Sequence, residues 1–124
     1  MERPSKRVVV LGASKKPERY SHKAVVMLKE YGHEVVPVHP VEEEIEGVPV
    51  AHDLGEIRAE VDTLSVYVGP QHLAPMIPSI LALKPKRVIL NPGAESAELE
   101  AALKDSGIPY LEACTLVMLR TNQF

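Results

Sequence analysis

The stretch Arg7-Val8-Val9-Val10-Leu11-Gly12-Ala13-Ser14-Lys15-Lys16-Pro17-Glu18-Arg19-Tyr20-Ser21 decides how this chain is read. Val8 to Leu11 form an unbroken apolar run rich in β-branched residues, which suits a strand covered on both faces. Gly12 lets the backbone turn sharply at the strand's end. Ser21 is the expected N-cap of a helix over Ser21 to Tyr31, with Ala24, Val25, Leu28 and Tyr31 on one face and Gly32 as its stop. A strand, a loop and a helix N-terminus in succession leave free N–H groups and a positive dipole end at the strand's carboxyl edge. That arrangement suits an anion, and Lys15, Lys16 and Arg19 add charge to it.

Downstream, the pattern repeats. Strands are expected over Glu34 to His39, Thr63 to Val68, Arg87 to Leu90 and Pro109 to Leu111. Pro37 places the strand from Glu34 at a sheet edge. Helices are expected over Gln71 to Leu83, despite Pro75 and Pro78, which are tolerable if they lie in the first turn, and over Glu95 to Lys104, stopped by Gly107. Glu42-Glu43-Glu44 reads as a solvated loop, Gly47 to Val50 as a turn with a short extended piece, and Asp53 to Arg58 as a helical turn or two. A short terminal helix is expected within Thr115 to Phe124. Alternation of strand and helix implies right-handed crossovers. The expected fold is α/β: a single Rossmann-like, doubly wound parallel sheet of about five strands with helices on both faces, spanning 1–124 as one domain. Ligands of such sheets bind outside the carboxyl ends of the strands, here Gly12-Ala13-Ser14, His39-Pro40, Gly69-Pro70 and Asn91-Pro92-Gly93.

Composition narrows the classes of partner. The 124 residues carry a formal net charge of −3, so neither general nucleic-acid binding nor attachment to an anionic membrane is indicated. Cys114 is the single cysteine, which rules out an internal disulfide and fits a reducing compartment. Residues 1–6 run straight into the first strand and leave no room for a signal peptide, and no apolar run approaches the roughly 18 residues that span a bilayer. A cytoplasmic location is expected.

The glycine fingerprint of dinucleotide sites is absent, because Ser14 and Pro17 stand where further glycines would. The second strand ends in His39-Pro40 without the acid that holds the ribose of NAD, so NADP fits better than NAD. No ATP-type phosphate loop is present. His22, His33, His39, His52 and His72 show no metal-ligand spacing, so no metal is expected. His33, after a helix-stopping glycine, suggests a capping or surface role. Asp62 and Glu95 have no evident partner for acid–base work, and no catalytic residues are assigned.

The ordered set Val10-Leu11-Gly12-Ala13-Ser14, Arg19-Tyr20-Ser21, Val36-Pro37-Val38-His39-Pro40 and Gly47-Val48-Pro49-Val50 resembles the small stand-alone CoA-binding proteins. These are similar to the CoA-binding domain of the succinyl-CoA synthetase α subunit. The resemblance runs through Val66-Tyr67-Val68-Gly69-Pro70 to Cys114. It implies coenzyme A or an acyl-CoA as ligand, with Gly12, Ala13 and Ser14 contacting the diphosphate and Lys15 and Arg19 supplying charge. Ser21 would give the helix N-terminus, His39 and Pro40 would lie near the adenosine, and Val68, Gly69 and Pro70 would wall the adenine. The family commonly has Asn where His39 stands and Gln-x-Gly where this chain has Asn91-Pro92-Gly93. The synthetases' reaction uses other domains, so the resemblance implies binding without catalysis. An NADP-type redox protein and a non-binding interaction subunit are the alternatives, and a partner enzyme and the oligomeric state stay open. Cys114, just before a helix start, reads either as a small buried hydrophobe or as a thiol that forms a mixed disulfide with CoA.

Overall fold

The computed structural model describes residues 5–124. Strands β1 (Arg7–Leu11), β2 (Glu34–Val38), β5 (Thr63–Val66), β6 (Arg87–Leu90) and β7 (Tyr110–Glu112) form a wholly parallel sheet in the order β2-β1-β5-β6-β7. The strand order reverses beside β1, so the crevice expected for a ligand lies beyond Leu11 and Val66. A separate antiparallel hairpin joins β3 (Glu44–Ile45) and β4 (Val48–Pro49). Glu46 and Gly47 both have positive φ, 52° and 75°, the conformation of a two-residue primed turn. The acidic run is therefore not all loop: Glu44 is paired in β3, and Ile45 is fully buried.

The helices are α1 (Tyr20–Glu30), α2 (Pro70–Leu73), α3 (Ile77–Leu83), α4 (Ala97–Asp105) and α5 (Thr115–Arg120). Alternation along β1 divides the core. Val8 and Val10 pack with Ala24, Val25 and Leu28 of α1 and Leu116 and Leu119 of α5. Val9 and Leu11 pack on the opposite side with Ile77 and Ile80 of α3 and Leu99 and Leu103 of α4. Full burial of each such side chain contributes roughly 1.5–3 kcal/mol, which is why the unbroken apolar run becomes the central strand.

Several boundaries differ from expectation for local reasons. Arg19, with φ −77° and ψ 140°, is the N-cap of α1, so Ser21 lies inside the helix and is buried. Strand β5 stops at Val66, where Gly69 and Pro70 already open α2. The single helix expected over Gln71 to Leu83 is broken by a 3-10 turn at Ala74–Met76 that contains Pro75, and only Pro78 sits in a first helical turn. His33 is not on the surface, but its backbone N–H does close the end of α1, donating to the Leu28 carbonyl at 3.0 Å behind Gly32. Its side chain is buried, and Nδ1 accepts from the Lys6 N–H at 3.1 Å.

At the sheet edge opposite the crevice, Lys6 Nζ donates to the Phe124 carbonyl at 2.8 Å. The Arg87 guanidinium lies 4.5 Å from the centre of the Phe124 ring. No helix among the described residues is long and apolar enough to cross a membrane.

Candidate functional site

Gly12, at φ +87°, carries the chain out of β1 where no larger residue fits. A Cβ there would lie 2.8 Å from Val68 Cγ2 and 3.3 Å from the Tyr67 carbonyl carbon. The ends of β1 and β5 thus approach backbone to backbone, fixed by Tyr67 N–H donating to the Leu11 carbonyl at 2.9 Å. The loop from Ala13 is braced from within. Ala13 N–H donates to the Val38 carbonyl, and Lys16 N–H donates to Ser14 Oγ at 3.1 Å. No side chain caps α1, so the amides of its first turn stay available beside that loop.

Three adjoining hollows form a groove along the carboxyl edge. The central one is lined by Gly12, Ala13, Ser14, Lys16, Arg19, Tyr20, Ser21 and His39, with Tyr67 and Pro92 opposite. It shares Gly12 and His39 with an apolar cavity walled by Leu11, Val38, Leu54, Val68 and Met76, with Pro40, His52, Asp53, Pro75 and Ser79 at its margins. On its other side it shares Tyr20, Tyr67 and Pro92 with a hollow that reaches Asn91, Cys114, Leu116, Val117 and Arg120. The groove therefore runs from an apolar slot, past an amide-rich cationic loop, to a half-buried thiol.

Of the residues expected at the site, Gly12, Ala13, Ser14, Arg19, Ser21, His39, Pro40 and Val68 line this groove. Lys15, Gly69 and Pro70 do not. Lys15 Nζ stands 3.8 Å from a Glu42 carboxylate oxygen, while Lys16 faces the central hollow. Gly69 and Pro70 are used up in starting α2.

His39 sits where slot and loop meet, and its tautomer is fixed. Nδ1 accepts from the N–H groups of Val41 and Glu42, both at 3.0 Å, so the ring hydrogen is on Nε2 and available to an acceptor. Behind the loop, His22 is buried between the Ser14 carbonyl at Nδ1 and the Glu46 carboxylate at Nε2, each 2.9 Å away. Both partners are acceptors, so both contacts are made only when both ring nitrogens carry hydrogen.

Under the thiol end lies a buried polar network. The Asn91 side-chain amide donates to Ser65 Oγ and to the Val66 carbonyl, each at 2.9 Å, and its oxygen accepts from the Thr115 N–H at 2.8 Å. Ser65 and Thr115 share a hydrogen bond of 2.8 Å. Asn91 thereby ties β5, β6 and the start of α5 together and places Cys114 at the N-cap of α5. Burial pushes the Tyr67 hydroxyl up to about 12, against the opposing pull of the Thr115 and Ser65 hydroxyls. The phenol at this end of the groove is accordingly neutral at ordinary pH.

Several lining residues were not legible beforehand. Asp53, His52, Met76 and Ser79 reach the slot only because Ala51 joins the edge of β2 and because the chain breaks between α2 and α3. The paired prolines Pro75 and Pro78 were the available signal for that break. Among the described residues no group of three or more His, Cys, Asp or Glu is placed to hold a metal ion.

Known proteins share the fold and the family of this chain. A solved structure of an uncharacterized protein superposes with a TM-score of 0.92 at 40% identity, covering 98% of this chain and 100% of that one. YneT, an uncharacterized protein of Bacillus subtilis strain 168, is 29% identical over 103 residues, 83% of this chain and 76% of YneT. The alpha subunit of the ADP-forming acetate–CoA ligase II of Pyrococcus furiosus is 40% identical over 65 residues, 52% of this chain and 14% of that subunit. The family model described as "CoA binding domain" matches residues 6–120, nearly the whole of a chain whose sheet, crossover order and glycine turn have the form just described, and the chain belongs to that family.

Proposed function

We propose that this protein binds coenzyme A or an acyl-CoA along the groove, as one CoA-binding domain over 1–124 in the cytoplasm, and carries out no catalysis of its own. One observation carries the reading: the three hollows adjoin in the order that the ligand's parts require. The apolar slot suits adenine. The Gly12–Arg19 loop acts as the phosphate-binding loop, with Ser14, Lys16, Arg19 and the first-turn amides of α1 around the diphosphate. His39 Nε2–H donates to a phosphate oxygen. The hollow at Tyr67, Asn91 and Cys114 takes the pantetheine arm and brings its thiol to Cys114. The acetate–CoA ligase relative supports the same ligand class.

The test is native mass spectrometry of the protein as purified, without added ligand or reductant, followed by calorimetric titration with CoA, acetyl-CoA and NADP. A bound mass equal to CoA, or titratable binding of CoA or acetyl-CoA, is the expected result. Binding of NADP alone would replace this reading with a dinucleotide-binding one, and failure of every titration would leave an interaction subunit.

A further inference from the structure

The slot's own charges single out one form of the nucleotide. Coenzyme A carries a phosphate on the ribose 3′-oxygen, and that dianion calls for cations. The lining of the slot contains no lysine or arginine. Its carboxylate is Asp53, whose Oδ1 accepts from the Gly55 N–H at 2.7 Å, with no such bond to Oδ2 among the described residues. His52 stands among acids, with Nε2 3.1 Å from Glu43 and Nδ1 3.9 Å from Glu56. Of the loop lysines, Lys15 is drawn to Glu42 and Lys16 lines the adjoining central hollow. The sequence shows no acid at the end of β2, yet folding brings Asp53 and Glu42 there.

We infer that the slot accepts a ribose with free hydroxyls, Asp53 accepting from the 2′- and 3′-OH groups, so that 3′-dephospho-CoA binds more tightly than CoA. This rests on the CoA-type reading above. A carboxylate beside a β2 end is the device by which parallel sheets hold an unphosphorylated adenosine ribose. A 3′-phosphate in the same place would meet like charge. At about 6 Å in a water-like medium the repulsion corresponds to roughly tenfold in affinity, and salt weakens it.

Isothermal titration of the whole protein with CoA and with 3′-dephospho-CoA, each at low and high salt, tests this. The expected result is a preference of about tenfold for 3′-dephospho-CoA that shrinks as salt rises. Asp53→Asn keeps a side-chain oxygen for the Gly55 N–H and should reduce the preference. Equal affinities, or tighter binding of CoA, overturn the inference and leave the CoA-type reading standing. An unchanged preference in Asp53→Asn overturns the role given to Asp53. Failure of both ligands to bind the wild-type protein overturns the underlying reading and this one with it.

Discussion

His22 and Glu46, 24 positions apart, meet at 2.9 Å behind the loop, and the same imidazole holds the Ser14 carbonyl from its other nitrogen. The contact explains a cost elsewhere. Glu46 holds a left-handed φ of 52°, a conformation that glycine or asparagine adopts more readily, and its carbonyl accepts from Lys29 Nζ at 2.9 Å. Turn, helix and loop are joined through one ring. His22→Ala should lower stability by about 1 kcal/mol, since it removes the partner of a part-buried carbonyl, and should weaken CoA more than it weakens pantetheine, which lacks the diphosphate. His22→Asn, with a donor near the Nδ1 position, should recover part of the CoA affinity. Denaturant melts and parallel titrations with the two ligands check both points.

Gly12→Ala should be severe. The new methyl would lie 2.8 Å from Val68 Cγ2, at a φ of +87° that alanine resists. A loss of about 2–3 kcal/mol in urea unfolding is expected from strain and crowding together. A mutant that melts like wild type would mean that β1 and β5 can move apart at this end.

Arg19→Ala and Lys16→Ala should each weaken CoA binding by about three- to tenfold, with a shallower dependence on ionic strength than wild type. Lys15→Ala should matter less, because that lysine leans toward Glu42 and away from the central hollow. Titrations at two salt concentrations separate these outcomes, and equal effects at all three positions would contradict the loop geometry.

Cys114 stands at the N-cap of a helix and at the end of the groove. With diamide as oxidant, two thiols lose their hydrogens to the diazene and an S–S bond forms between Cys114 and CoA. Intact-mass spectra should gain one CoA adduct that dithiothreitol removes and that Cys114→Ser abolishes. Adduct formation in the serine variant would place the reactive group elsewhere.

The Tyr67 hydroxyl, raised by burial to about 12, ties stability to alkaline pH. An unfolded tyrosine ionises near 10, so above that value the unfolded chain gives up its proton first. The stabilising difference is whole below about pH 10 and is lost as pH climbs toward 12, by about 2–3 kcal/mol in all. Thermal melts across that range should fall more steeply for wild type than for Tyr67→Phe. Identical slopes would show the hydroxyl to be solvated.

The strand at Val8 to Leu11, the turn at Gly12 and the parallel alternation were legible because each rests on neighbouring residues: an apolar run, a glycine, a helix-length period. The β3–β4 hairpin was not, since its two-residue strands are too short to show a period and its turn uses Glu46 where glycine or asparagine would have signalled it. The cap of α1 was misplaced by two residues because Ser21 has the right chemistry but Arg19 has the extended backbone. Of the residues lining the groove, Ser14, Arg19 and His39 could be picked from their place at strand and helix ends. Asp53 could not, because it is brought in by the pairing of Ala51 with Val38, a tertiary event with no local mark.

The bond from Lys6 to the carbonyl of Phe124 holds the residue before β1 and the last residue side by side, on the edge of the sheet away from the groove. A linker or fluorophore spliced after Phe124 would leave by that edge, away from the groove. Joining residue 124 to residue 6 through a short bridge and opening the chain at the exposed Val41 should yield a circular permutant with the same sheet. The residue before β1 and the last residue thus share one edge of the sheet, and the groove opens at the other.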